Sequence, residues 1–416
     1  MCMNEEYLFL TILNSGPNHP RSSLDVFLRP LIDELKELWN NGVEAFDASL
    51  NQNFNLKAVL MWTISDFPAY GMLSGWTTHG RLSCPICMDD TKAFQLTNGK
   101  KTCWFDCHRR YLPHGHPLRK NKTNFLKRKD ALNDYPPRTL TGKQVLKEQI
   151  RQVNPPKTSE CGGNGHDVKK KGYGNWHNWH KESIFWELPY WTDLNLRHNL
   201  DVMHIEKNFF DNIINTVMNV KEKSKDTVKA RLDIAIFCNR KDLHVDDYGR
   251  APFPIFRLTP QAKERLLECV KHEVKFPDGY ASDLASCVDI DGGKFSGMKS
   301  HDCHVFMERL LPFIFAELLP RNVHLALSGV GVFFRDLCSR SLKQFTVRSL
   351  KENIVIILCN LEKIFPPVFF DVMEHLAVHL PYEAELGGPV QYRWMYPFER
   401  FFKKLKSKAK NRRYPA

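Results

Sequence analysis

Cys84-Pro-Ile-Cys87 is the spacing in this chain most committed to chemistry, since the tight turn of a C-x-x-C lets two thiolates take adjacent corners of a tetrahedron. Such a knuckle needs a second pair of donors. Cys103, Cys107, His108, His114 and His116 follow shortly downstream, and His108 with either His116 or His114 would complete a Cys2His2 site of non-standard spacing. Structural Zn²⁺ is therefore the expected ion. The competing readings are two reduced surface thiols, weighed against by the several histidines within thirty residues, and a redox pair, which lacks the βαβ surroundings that redox work requires.

Three acids come next. Asp66 stands where an apolar run emerges into Ser65-Asp66-Phe67-Pro68, a place that can hold a carboxylate rigidly or simply cap a turn. Glu206 shares a helical face with Phe209, Phe210 and Ile213, so it points toward packed side chains, and a buried carboxylate is costly unless paired or metal-bound. Asp201 falls in the first turn of the same helix, where the dipole favours an acid. Five residues on a helix rotate by about 140°, so Asp201 and Glu206 do not readily serve one metal, and Glu206 is preferred. His375 and His379 are spaced i, i+4 without the Glu of a metalloprotease and read as core or surface histidines. Ser300-His301-Asp302-Cys303-His304 holds the letters of a triad, but residues this close cannot adopt its geometry, and it reads as a helix start. No P-loop and no G-x-G-x-x-G occurs.

The elements that must position these residues are partly readable. Tyr7–Leu13 is a short apolar run ended by Asn14-Ser-Gly-Pro17 and predicts a buried strand. Leu24, Phe27, Leu28, Leu31, Ile32, Leu35 and Leu38 recur at helical spacing, with Ser22 or Ser23 as cap and Pro30 as a kink or as the opening of the regular part. Phe54–Ile64 predicts a second strand, and strand, helix, strand in this order belongs to an α/β sheet. From about 81 to 185 the pattern dissolves into Cys, His, Gly, Pro and Lys, as an insertion held by something other than a hydrophobic core. Helices are predicted at 200–220 and 225–240, a Pro/Gly-rich linker at 246–296, and helices at 302–319, 323–340, 346–364, 368–380 and 396–410. The fold class expected is α+β, with domains at 1–245 and 297–416, the second all-α.

Charge is unevenly spread. Residues 1–90 hold five Lys/Arg against eleven Asp/Glu, whereas residues 91–185 hold twenty against seven, a surplus larger than the +12 of the whole chain. Lys127-Arg128-Lys129 and Lys169-Lys170-Lys171 are the runs expected to contact phosphates, and a second basic cluster, Lys403 to Arg413, closes the chain. A charge run alone is usually a solvated loop. Here Trp104, Phe105, Tyr111, Trp176 and Trp179 lie among the cations, and aromatics beside cations stack on unpaired bases. The chain's 416 residues, 43% hydrophobic and 25% charged, are enough for two or three cored domains. No apolar run is long enough to span a membrane, and the acidic start argues against a secretory signal. Twelve cysteines in so long a chain suit a reducing compartment.

Several long motifs resemble the transposases of plant CACTA (En/Spm) elements: Leu24 to Trp39, Trp62-Thr-Ile-Ser-Asp-Phe-Pro-Ala-Tyr70 with Leu73-Ser-Gly-Trp76, Cys84-Pro-Ile-Cys87, His108-Arg-Arg-Tyr-Leu-Pro113 with His116, and Leu196 to Asn208. The resemblance covers roughly 5–245, and 297–413 resembles the uncharacterised helical domain that follows the core in those proteins. It implies an RNase H-like core with a zinc-binding insertion, holding two Mg²⁺ ions on three acids and cutting DNA at transposon ends in the nucleus. By the same resemblance Asp66 is the second acid, Glu206 (or Asp201) the third, and Cys84, Cys87, His108 and His116 the zinc set. The family's first acid lies in an Asp-Gly-Phe-Asn-Pro-Phe-like motif that these 416 residues do not contain. The expectation is thus a truncated or domesticated transposase that binds DNA without cutting it. The alternatives are an active DDE/D nuclease with Asp47 as substitute acid, or a self-association or partner-binding module in the helical domain.

Overall fold

The computed structural model describes residues 4–13, 20, 23–126, 133–157, 170–277, 280 and 283–408. It is an α+β chain in which helices dominate and strands pair only two by two among the described residues. Two compact units share the chain: 1–91 with 138–201 and 392–416, and 92–137 with 202–391. No described helix is long and apolar enough to cross a membrane.

In the first unit the helix Leu24–Asn40 runs through Pro30 and buries Ile32 and Leu35 against Ile184, Phe185, Leu188, Tyr190 and Trp191. Charges lock its flanks. Arg29 grips Glu187 with two 2.7 Å bonds, Lys36 adds a third at 2.7 Å, and Asp25 forms an ion pair with Lys181, both wholly buried. A second apolar cluster joins Trp76, Leu82, Val145, Ile150 and Trp179, the two indoles meeting edge to face at 5.1 Å.

The two strands predicted near the start do not form as expected. Residues 8–13 pair with no strand, and Phe9 and Leu13 are 81% and 78% exposed. An apolar run becomes a strand only where a neighbour takes its backbone hydrogen bonds, and none of the described residues does so here. Phe54–Ile64 divides in two. Gln52–Leu56 folds back on Val43–Asp47 as an antiparallel hairpin, because Asp47 accepts the amides of Ser49 and Leu50 and Asn51 takes a positive φ of 51° to close the turn. Only Thr63–Ile64 joins a later strand, pairing in parallel with His198–Asn199.

The second unit is built on helices. Val202–Val217 buries Ile205, Phe209, Ile213 and Val217, and Val228–Phe237 is capped by Thr227. Arg321–Leu337 and Gln344–Ile364 form its largest pair, with Gly329 allowing Ile357 close approach. Residues 246–296, predicted as a linker, contribute Phe256, Leu266 and Val270 to the interior through the Thr259-capped helix Pro260–Glu268 and its extension. The predicted helix 302–319 is broken: Ser300–Val305 passes through a π turn at Phe306–Leu310, and Pro312 sits at the start of Leu311–Ile314.

Candidate functional site

Parallel pairing of Thr63–Ile64 with His198–Asn199 sends both chains out at the same end of the pair, and Asp66 and Asp201 each lie two residues beyond the last paired position. The carboxyl ends of parallel strands are where α/β sheets place ligands. Both acids carry backbone duties there. Asp66 caps the helix Phe67–Ser74, accepting the Ala69 amide at 2.8 Å, and Asp201 accepts the Met395 amide at 3.1 Å.

Glu206 belongs to the second unit. It is buried, as its helical face predicted, and its Oε2 accepts from His304 Nδ1 at 2.7 Å, with Cys338 as the third member of the cluster. Burial by itself would lower His304, but the carboxylates of Glu206 and Glu308 outweigh it and raise its pKa. The buried carboxylate thus favours the protonated form of the His304 imidazole beside it. Asp47, the substitute acid considered above, ends a strand and organises its turn.

Cys84 and Cys87 are buried in the first unit with sulfurs within 4.8 Å of each other, and the Cys87 amide donates to Cys84 Sγ at 3.3 Å. In the second unit the structure gathers Cys107 and His375, rather than His116, around His108: the ligand atoms of these three buried residues lie within 4.8 Å of one another. His116 instead caps Pro117–Lys120, its Nδ1 accepting the Leu118 amide at 3.2 Å, and His114 packs edge-on against Tyr135. Burial pushes His108 down to about 3, so its ring is neutral, and its Nδ1 donates to Glu362 Oε1 at 2.6 Å. These buried Cys/His clusters have the donors to bind a metal ion. Sequence reasoning passed over His375, although the adjacency of Cys107 and His108 and the i, i+4 pair at His375 and His379 were both visible. Glu362 carried no signal at all.

Part of the basic surplus turns inward. Arg109, Arg110 and Arg119 are almost fully buried and serve main-chain carbonyls: Arg109 Nη1 bonds Leu118, Arg119 and Asn121, Arg119 Nη1 bonds Arg110 and Leu112, and Arg110 Nε bonds Tyr135. Of the five interleaved aromatics, Trp104, Phe105 and Trp179 are core residues and Tyr111 is half-buried, while Trp176 is 71% exposed. Trp176 lines an open pocket of about 830 Å³ in the first unit with Arg138, Lys170, Lys171 and His177, opposite Asp89 and Glu148. Gly172, at φ 91°, makes room for the indole: a Cβ there would come within 2.8 Å of the ring. Lys127, Arg128, Lys129 and Lys169 lie outside the described residues.

An exposed indole among cations and, separately, two acids at the ends of parallel strands are the features to compare with known proteins. Residues 1–153 match the family model described as "Transposase family tnp2". Residues 337–416 match a domain of unknown function, DUF4218. No curated protein and no solved structure matches the chain. The tnp2 match takes in Asp66, the Cys84–Cys87 knuckle and the Cys107–His108 pair, and the second match takes in Glu362, His375 and His379.

Proposed function

We propose that this is a transposase-derived protein of the plant CACTA (En/Spm) type, acting in the nucleus as a DNA-binding protein that does not cut DNA unaided. The observation that carries the reading is the tnp2 match over the segment bearing the acid and cysteine motifs. The pocket of Trp176, Arg138, Lys170 and Lys171 supports it chemically, since cations around an exposed aromatic ring recognise a phosphate backbone with unpaired bases. An RNase H-like core is supported by the parallel pair that delivers Asp66 and Asp201.

Mg²⁺ does not fit the donors described. A hard cation of this kind asks for an octahedron of oxygens. Asp66 and Asp201 each accept a backbone amide through one carboxylate oxygen. Among the described residues no group of three or more close donors consists of carboxylates alone, the neighbours of Glu206 being an imidazole and a thiol. No step is therefore routed through magnesium. Zinc suits the Cys/His donors; of the sequence-derived set, Cys84 and Cys87 lie together, His108 lies beside Cys107 and His375, and His116 caps a helix instead.

The test is a nicking assay with Mg²⁺ or Mn²⁺ on DNA carrying terminal inverted repeats, run beside binding at several salt concentrations. Binding that weakens steeply with salt, without scission, is expected. Metal-dependent scission abolished by Asp66→Asn overturns the non-cutting reading, and salt-independent or absent binding overturns the DNA reading.

A further inference from the structure

His108 is completely buried, and among the described residues its Nε2 has no hydrogen-bond partner. An orphaned buried ring nitrogen is costly, and Glu362 holds the His108 ring through Nδ1. A carboxylate on one imidazole nitrogen, leaving the other as a lone-pair donor, is the arrangement that orients metal-ligating histidines. Glu362 is itself fixed, since the same Oε1 accepts the Asp106 amide at 2.8 Å. Asp106 adopts φ 65°, a left-handed conformation uncommon outside glycine, immediately before Cys107 and His108. Strain of this kind persists where the surroundings over-determine it.

The partners fit. Cys107 Sγ lies 3.7 Å from His375 Nδ1, about the edge of a tetrahedron with Zn–S near 2.3 Å and Zn–N near 2.0 Å. The rings of His108 and His375 are 5.6 Å apart, and the buried Trp104 ring stacks on His375 at 6.4 Å. All of these residues belong to the second unit.

We infer that Cys107, His108 and His375 hold a zinc ion in the second unit, with Glu362 as the carboxylate that orients His108. The site is assembled from both matched segments: Cys107 and His108 come from the tnp2 segment, His375 and Glu362 from the domain of unknown function. Completing a metal centre begun in the transposase insertion is thus a role for the C-terminal domain. This reading stands apart from DNA binding and needs no catalysis.

The experiment uses the full chain, with metal content measured after dialysis and Co²⁺ as spectroscopic probe. The Co²⁺ spectrum of the unmodified protein is expected to contain a charge-transfer component that Cys107→Ser removes, and His375→Ala is expected to release the bound zinc. Glu362→Gln keeps all three ligands and is expected to weaken zinc affinity about 10–100-fold while the far-UV circular dichroism stays unchanged. Should Cys107→Ser misfold, this variant and the unmodified protein's spectrum still decide. Full zinc retained by folded Cys107→Ser, with loss on Cys84→Ser, overturns the assignment, as does unaltered affinity in Glu362→Gln. Failure of DNA binding leaves these metal readouts untouched, so the two proposals fail separately.

Discussion

Removing Asp25 should unfold much of the first unit's stability in one step. Asp25 and Lys181 are both wholly buried, and the ammonium donates to Asp25 Oδ1. Burial pushes Lys181 below its ordinary 10.5, while the charge and hydrogen bond of Asp25 hold it up. Asp25→Ala leaves that ammonium in the interior without its carboxylate, and breaking a buried pair on one side costs about 3–5 kcal/mol. Domains are stable by roughly 5–15 kcal/mol, so the loss is a large fraction of the whole. Replacing both partners by apolar residues removes two desolvation penalties together, so Asp25→Leu/Lys181→Met should recover most of the loss. Urea unfolding followed by tryptophan fluorescence reports on this unit through buried Trp76, Trp179 and Trp191. The sign with pH is a second check. In Asp25→Ala the lysine's folded pKa falls further below 10.5, the unfolded chain binds more protons, and stability rises with pH, so the deficit should shrink as pH approaches that value. A single variant losing less than about 1 kcal/mol, or a double variant no better than the single, refutes the reasoning.

Three other outcomes are expected. Arg29 and Lys36 hold Glu187 at about 2, down from 4.5, so its contribution is fully present above 4.5 and lost as pH falls toward 2. An acid titration of the first unit should lose on the order of 2 kcal/mol over that window, and Glu187→Gln should flatten it. Trp176→Ala should weaken single-stranded DNA binding by about 1–3 kcal/mol in a filter or anisotropy assay, with no change in melting temperature. Neutralising Lys170 and Lys171 together should reduce the salt slope on single strands by about 1.4, and an unchanged slope would remove them from the interface.

What the sequence disclosed was what repeats. The ladder Val202, Ile205, Phe209, Ile213, Val217 predicted a helix that lies at Val202–Val217, and the C-terminal helices at 323–340 and 346–364 fall within a few residues of Arg321–Leu337 and Gln344–Ile364. The strands were poorly legible because an apolar run does not name its partner: Tyr7–Leu13 has none among the described residues, and the Asp47 turn diverted Gln52–Leu56 into a hairpin. Charge misled for a related reason. Arg109 and Arg119 count as cations in any tally, yet their guanidinium groups turn inward onto main-chain carbonyls and, for Arg109, onto the Asp106 carboxylate. The thiol at 107 and the imidazole at 108 were visible as ligand types. That their companion would come from residue 375 depends on tertiary packing, which no local spacing encodes.

The first unit's discontinuity sets a timetable for the nascent chain. The helix Leu24–Asn40 finds the buried cover for Ile32 and Leu35 in residues 184–191, and Asp25 pairs with Lys181. At ordinary ribosomal speeds the intervening stretch of about 150 residues takes roughly 10–30 s to appear. Throughout that interval an oily face waits outside the exit tunnel beside a carboxylate whose buried lysine has yet to be made, an invitation to chaperones that closes when Lys181 emerges.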